Sequence, residues 1–358
     1  MIKPMYKYVS LCLCVLMLLC AVVGCSNQVL LPDGTIVTAG QTQPTDTKSP
    51  TGVTEDTKAS LGGSLTLAPE VETKSPSISL GGSPDEMFKN APHVMHAEFL
   101  NTGESDCILL RMDDKVVLVD TADTDDSLKI KNKLESRNIT AIDYLILTHY
   151  DNDHIGSVSA ILASFEVKEV YMPDYVRDSG LYRTMMSALE EKVPVEKIHR
   201  ISEDVTFDVG YGSLWLNTTK LYETGITVGD DATSTIVENN FSIITSVTFG
   251  KIKMLLTGDA EEARMQEFNA LFDEGEYPQY TLVKTPHHGG YDKAFKTCLY
   301  ATTPRYCVVT TDTKDKVEAG LVTDMLDCCA SAYYSYEGDV WFATDGSATT
   351  SYTIFQEK

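Results

Sequence analysis

The chain has 358 residues, 43% of them hydrophobic, and a formal net charge of −23. Residues 1–25 carry two lysines and no acid, and residues 26–87 carry three lysines and eight acids, so −20 falls on residues 88–358. So acidic a segment lacks the basic face by which proteins hold long nucleic acid through its phosphates, which counts against a nuclease.

Lys3 and Lys7 precede an apolar run over 9–23 that ends in Val22-Val23-Gly24-Cys25. A basic start, a short apolar stretch and small residues read as an export signal, too short to favour a spanning helix. Its end resembles a bacterial lipobox. That resemblance implies a signal peptide over 1–24, lipid modification of Cys25, and anchoring to the outer face of the bacterial cell membrane. From Ser26 to Met87 there is no aromatic, histidine or cysteine, and Thr, Ser, Pro and Gly abound. Thr47-Lys48-Ser49-Pro50 returns as Thr73-Lys74-Ser75-Pro76, and Ser60-Leu61-Gly62-Gly63-Ser64 as Ser79-Leu80-Gly81-Gly82-Ser83. Such a stretch cannot bury enough apolar surface to offset its ordering entropy, so residues 25–87 are expected to be a disordered tether.

Residues 88–358 suffice for one sizeable core. Strands are expected over 95–111 and 116–120, with Asp113-Asp114-Lys115 as a hairpin turn, then a helix over 127–137 and a buried strand over 142–147. Further helices are expected over 157–165, 179–192, 260–272, 292–300 and 317–330. Strands are expected over 169–172, 241–249, 251–256, 280–284, 306–311, 339–342 and 349–355. This alternation favours α/β layering. The domain's five cysteines, Cys107, Cys298, Cys307, Cys328 and Cys329, are read mostly as small buried apolar residues. Export would permit a Cys298–Cys307 disulfide.

The densest chemistry lies in Leu147-Thr148-His149-Tyr150-Asp151-Asn152-Asp153-His154-Ile155-Gly156, between the strand over 142–147 and a helix start. Two imidazoles and two carboxylates within six residues are electrostatically costly unless cations neutralise them. H-x-D-x-D-H places one pair at each end of the loop, enough donors for two adjacent metals.

This loop resembles the H-x-H-x-D-H signature of the metallo-β-lactamase superfamily, with aspartate replacing the second histidine as in its ComEC-like branch. Phe99-Leu100-Asn101-Thr102-Gly103-Glu104-Ser105-Asp106 resembles that branch's opening strand and turn, and Val117-Leu118-Val119-Asp120-Thr121-Ala122 its second strand. Leu255-Leu256-Thr257-Gly258-Asp259 and Pro286-His287-His288-Gly289-Gly290 match two later motifs, in order. The resemblance spans about residues 93–355. It implies an αββα sandwich of two mixed β-sheets flanked by helices, and an extracellular metal-dependent hydrolase. One metal would fall to His149 and Asp151, the other to Asp153 and His154, with Asp259 bridging and one of His287 and His288 completing the second. The implied cofactor is Zn2+, one or two ions, with Mn2+ also tolerated by oxygen-rich ligands. Asp153 and Asp259 would be the catalytic carboxylates, the first orienting a metal-activated water against a phosphodiester or related ester.

Two departures stand out. The third histidine expected for the first metal is missing, since His199 alone lies in that interval, in a charged loop. Glu238-Asn239-Asn240-Phe241-Ser242 resembles the branch's N-N-x-S segment, which brings Asn239 or Asn240 toward the site instead. The branch's N-x-Y-G-H-P segment is also absent, with Thr310-Thr311-Asp312-Thr313-Lys314 near its place. Two alternatives remain open: a phosphorylcholine-type headgroup or cell-wall esterase, and a non-catalytic surface binding module.

Overall fold

Along the strands, successive apolar side chains fall alternately into different cores, as a period of two requires. Leu109 and Leu118 join one cluster, while Leu110, Val117 and Val119 join another. Farther along, Met254, Leu256 and Leu282 share the latter cluster, whereas Leu255 and Val283 enter a third. These central strands are therefore apolar on both faces, and two sheets stack with helices outside them.

The computed structural model describes residues 28–30, 36–38, 86, 88–224, 238–273, 275–328 and 330–357. Two units divide the chain at residue 70. In the first, β1 (Gln28–Leu30) pairs antiparallel with β2 (Ile36–Thr38), inside the segment expected to be disordered. The expected signal peptide, Cys25 and the rest of the expected tether below residue 86 lie outside the described residues. None of the described helices is long and apolar enough to cross a membrane.

In the second unit β3 (Met95–Phe99), β4 (Ile108–Met112) and β5 (Lys115–Val119) run antiparallel, and β6 (Ala141–Ile146), β7 (Glu166–Pro173) and β8 (Ile198–Ile201) continue in parallel. The chain then builds a second sheet. In it β9 (Val205–Val209), β10 (Gly212–Asn217), β11 (Ile244–Phe249) and β12 (Ile252–Leu256) are antiparallel, and β13 (Leu282–Lys284), β14 (Tyr306–Val309) and β15 (Ser331–Tyr334) add on in parallel. It returns to the first sheet as β16 (Asp339–Thr344) beside β3, with β17 (Tyr352–Glu357) at the edge.

Phe99, Leu110, Phe249 and Phe342 are among the residues filling the space between the sheets. Helices Ser127–Ser136, Val158–Ser164 and Gly180–Lys192 cover the first sheet through Ile130, Ile161, Met185 and Leu189. Helices Glu262–Asn269, Lys293–Thr302 and Ala319–Asp327 cover the second through Phe268, Phe295 and Leu321. The architecture is the expected αββα sandwich of two mixed sheets.

Several expectations need correction. The stretch 95–111 is two strands separated by a loop over 100–107, because Asn101-Thr102-Gly103 turns away at a left-handed Gly103 (φ 76). Strands β8, β9, β10 and β15 went unread, being short and rich in charged or polar residues. Cys298 and Cys307 are buried and free rather than paired.

Candidate metal centre

The metal loop leaves the sheet at the end of β6, after Leu147 donates one more ladder bond to Tyr171 O (2.9 Å). A single helical turn, Asn152–Ile155, then raises Asp153 and His154. Gly156 closes this turn against the loop after β5, where a Cβ would stand 2.4 Å from Thr124 N and 2.6 Å from Asn152 O. No side chain fits there.

In that neighbouring loop Asp120 (φ 58) and Ala122 (φ 51) adopt left-handed backbone, a strained choice for residues with a Cβ. The turn aims the Asp120 carboxylate at the metal loop. Its Oδ1 accepts from Thr148 N (2.8 Å), and its Oδ2 accepts from Thr148 Oγ1 (2.7 Å) and His154 Nδ1 (2.8 Å). Asp120 thus orients His154 with Nε2 facing inward. With its proton given to Asp120, Thr148 Oγ1 is left to accept from His149 Nδ1 (3.0 Å), so His149 also turns Nε2 away from the loop.

Across the sheets, β12 ends in Thr257-Gly258-Asp259. Gly258 is left-handed (φ 54), and a Cβ there would meet Thr148 Cβ at 3.0 Å. The chain after β13 turns through His287 (φ 46) and His288 (φ 51), and His288 Nδ1 donates to Thr310 O (3.0 Å). Four groups consequently converge. Asp259 Oδ2 lies 3.2 Å from His154 Nε2 and 3.0 Å from His288 Nε2. Asp153 Oδ2 lies 3.0 Å from His288 Nε2 and 3.6 Å from His154 Nε2.

Burial alone would lower the His154 pKa, but the Asp259 and Asp120 carboxylates outweigh it and raise it well above the usual imidazole range. For His288 burial is likewise overcome by Asp259 and Asp153, to about 9. Burial would raise the Asp259 carboxyl, yet His288, His154 and Lys284 hold it well below the carboxylate range. These are the charges a divalent cation would replace on binding, with release of the imidazole protons.

Lys284, Asp106 and Thr310 hold these groups from behind. Lys284, wholly buried at the end of β13, sits 2.5 Å from Asp106 Oδ2 and 3.4 Å from Asp259 Oδ1, and donates to Gly258 O (2.9 Å). Asp106 Oδ1 accepts from Thr310 Oγ1 (2.6 Å), and its backbone N–H donates to Asp153 O (3.1 Å). Asp106, Asp120 and His154 also lie close enough to hold an ion. Their polar atoms are already matched by Lys284, Thr310, Thr148 and one another, so we read that trio as the frame of the centre.

Of the sequence-predicted residues, Asp153, His154, Asp259 and His288 come together, each offering one donor atom, all within 4.8 Å of one another. His149 is buried beside them, its ring centroid 4.1 Å from that of His154. Asp151 Oδ2 stands 3.5 Å from His149 Nε2, and its Oδ1 is ion-paired to Arg177. His287 stands apart: its side chain is 48% exposed and its Nδ1 lies 3.6 Å from Glu261 Oε1. Asn239 Nδ2 donates to Glu261 Oε1 (3.0 Å), and Asn240 Oδ1 accepts from Arg264 N (3.0 Å) in the first turn of helix Glu262–Asn269. Neither asparagine enters the cluster. His199, on β8, pairs with Glu169 (3.1 Å) and stacks on Tyr171 of β7, also outside it.

Sequence reasoning did not single out Asp106, Lys284 or Arg177. The first two carried a signal, a carboxylate in the opening motif and a lysine ending an apolar strand, whereas Arg177 sits in a loop without pattern.

The residues fit a divalent ion at the four-donor cluster. His154 Nε2 and His149 Nε2 are fully buried and make no well-aligned hydrogen bond, facing only Asp259 Oδ2 (3.2 Å) and Asp151 Oδ2 (3.5 Å), an arrangement a cation between them would satisfy. Two nitrogens and two carboxylate oxygens suit zinc or manganese.

The fold and this donor set define an αββα protein with a candidate metal centre, and comparison with known proteins places it. The metallo-beta-lactamase superfamily description matches residues 100–309, and the chain belongs to that superfamily. Over 161 residues it is 27% identical to ComE operon protein 3 of Bacillus subtilis (strain 168), which covers 44% of this chain but only 18% of that protein. The chain thus spans under a fifth of that relative's length. Among solved structures it is similar to the metallo-beta-lactamase fold protein YhfI from Bacillus subtilis, at 11% identity and a TM-score of 0.45 over 74% of this chain and 100% of the other. It is also similar to a diphosphatase from the PhnP family, at 12% identity and a TM-score of 0.37 over 63% and 93% of the two chains.

Proposed function

We propose that the chain is a metal-dependent hydrolase cleaving a phosphodiester or related ester outside the cell, held to the membrane by a lipid at Cys25. The observation that carries this reading is the convergence of Asp153, His154, Asp259 and His288 from both sheets, with the buried His154 Nε2 facing Asp259 and Asp153 at its centre. A bound zinc or manganese would supply Lewis acidity and lower the pKa of a water. The protein's own groups then divide the work. Asp259 is nearly inaccessible (side chain 3% exposed) and held by Lys284, so it anchors the centre. Asp153 is 30% exposed and stands at the mouth. Without an ion the His288 hydrogen bond and the His154 charge hold its carboxyl below its ordinary value despite burial; with an ion bound, that cation would keep it ionised, and it would orient a water at the mouth. Asp120, Thr148 and Thr310 keep the imidazole rings in place.

The −20 charge of residues 88–358 favours a small ester, such as a phosphorylcholine-type or cell-wall headgroup, over a long polyanion. The test is turnover of bis-p-nitrophenyl phosphate by the full chain before and after chelation. Chelator-sensitive turnover that falls at least about 100-fold in Asp259→Ala supports the hydrolase. Bound metal with no turnover of phosphate or carboxylate esters would instead favour a binding module on the same scaffold.

A further inference from the structure

We propose that this centre holds a single divalent ion, in the Asp153–His154–Asp259–His288 position, and that the Arg177 guanidinium supplies the positive charge at the second position. The inference rests on the metal-dependent reading above and departs from the paired metals implied by the H-x-D-x-D-H resemblance.

Donor counting comes first. The second position would be built on His149 and Asp151, whose Nε2 and Oδ2 lie 3.5 Å apart. Among the described residues no third histidine, cysteine or carboxylate forms a ligand cluster with them. Asp259 does not serve, since its Oδ2 is engaged between His154 and His288 and its Oδ1 lies 3.4 Å from the Lys284 ammonium. Of the asparagines in place of the missing histidine, Asn240 Oδ1 is taken by the backbone of Arg264, and Asn239 gives its Nδ2 to Glu261 while its buried Oδ1, without a hydrogen-bond partner, is a neutral oxygen that adds no charge to the pair. Catalytic zinc sites take about three protein ligands, and two leave an ion weakly held.

Charge comes second. Asp151 Oδ1 is already ion-paired to Arg177 Nη1, which also reaches Glu238 Oε2 (2.7 Å) and Tyr150 O (2.7 Å). Glu238 is fixed from its other oxygen by the Tyr175 hydroxyl, and Tyr175 in turn accepts from Tyr150 N (3.1 Å). The guanidinium is therefore clamped between two carboxylates and a carbonyl, all of them tied to the metal loop. A planar fork so held is a permanent cation that no chelator removes. It neutralises the acids that would otherwise draw in a second ion. His149 Nε2, left without a ligand role, faces the site as an acceptor for a water or substrate hydrogen.

The experiment loads the chelator-stripped full chain with excess zinc, and separately manganese, removes loosely held ion by gel filtration, and counts metal by elemental analysis. The expected result is about one ion per chain, retained in Asp151→Asn and lost in His154→Ala and Asp259→Asn. Arg177→Met, which leaves Asp151 and Glu238 uncompensated, is expected to take up a second ion, while Arg177→Lys stays at one; a thermal melt of each variant checks that it is folded. Two ions on the wild-type chain would overturn the inference and leave the hydrolase reading standing. No ion on the wild type would overturn that reading itself. Loss of the ion in folded Asp151→Asn would show the wrong position had been assigned, and an unchanged count in folded Arg177→Met would remove Arg177 from the explanation.

Discussion

Two buried charges outside the donor cluster decide how the centre is supported and how the fold responds to pH. Lys284 faces Asp106 and Asp259 with no exposure. Removing one member of a buried ion pair leaves the other uncompensated, at a cost of about 3–5 kcal/mol. Lys284→Met is expected to destabilise the protein by that much in urea unfolding, and Asp106→Leu in the same chain should recover part of the loss. Additive losses in that double mutant would mean that the two residues do not interact. Glu98 on β3 is fully buried between Arg137 (3.2 Å to each oxygen) and Arg111 (3.6 Å). Burial outweighs both cations and lifts its pKa to about 7. A carboxyl with a raised folded pKa keeps its proton in the folded state while the unfolded chain has lost it. Its contribution is therefore full below the unfolded value near 4.5 and is lost as pH rises toward 7, on the order of 3 kcal/mol. Glu98→Gln should flatten the fall in melting temperature over this interval, and an unchanged slope would place the titration elsewhere.

The elements that carry the site are the parallel strand ends and the loops after them, and there the backbone is as constrained as the side chains. Gly156 allows the turn Asn152–Ile155 to rest on the Asp123–Thr124 backbone. Gly156→Ala is expected to push that turn outward, costing about 1–3 kcal/mol by overpacking and lowering metal affinity by about 10-fold or more, read by competition with a chromophoric chelator. Full affinity in the variant would show that the loop has slack. Legibility varied by element for physical reasons. β6, β12 and the helix Gly180–Lys192 announce themselves by apolar runs or helical spacing. β9 and β10 are a tight hairpin through Gly210-Tyr211; β9 alternates but is only five residues long, and Trp215 breaks the alternation of β10. The strand β15 starts just past a helix expected over 317–330, which in fact ends at Asp327, and its four residues are too few to show a period of their own.

For the molecule as a whole, net charge makes a prediction that is independent of the site. With −20 on residues 88–358, few cations are available for counterion release. Duplex DNA is expected to bind more weakly than about 100 μM at physiological salt, measured by fluorescence anisotropy of the full chain. Micromolar affinity that collapses with added salt would restore a nuclease reading.

The local sequence was enough to mark the candidate donor residues, their order along the chain and α/β layering, because binary patterning and short motifs are properties of consecutive residues; the αββα class followed from the resemblance those motifs carry. Only the tertiary structure decided which donors meet. It turned His288 inward and His287 to the surface, directed Asn239 and Asn240 elsewhere, and brought Lys284 and Asp106, which are 178 positions apart, within 2.5 Å. It also set Arg177 against Asp151. Those pairings depend on the stacking of two sheets and on left-handed turns at Asp120 and His288, geometry that no local pattern encodes.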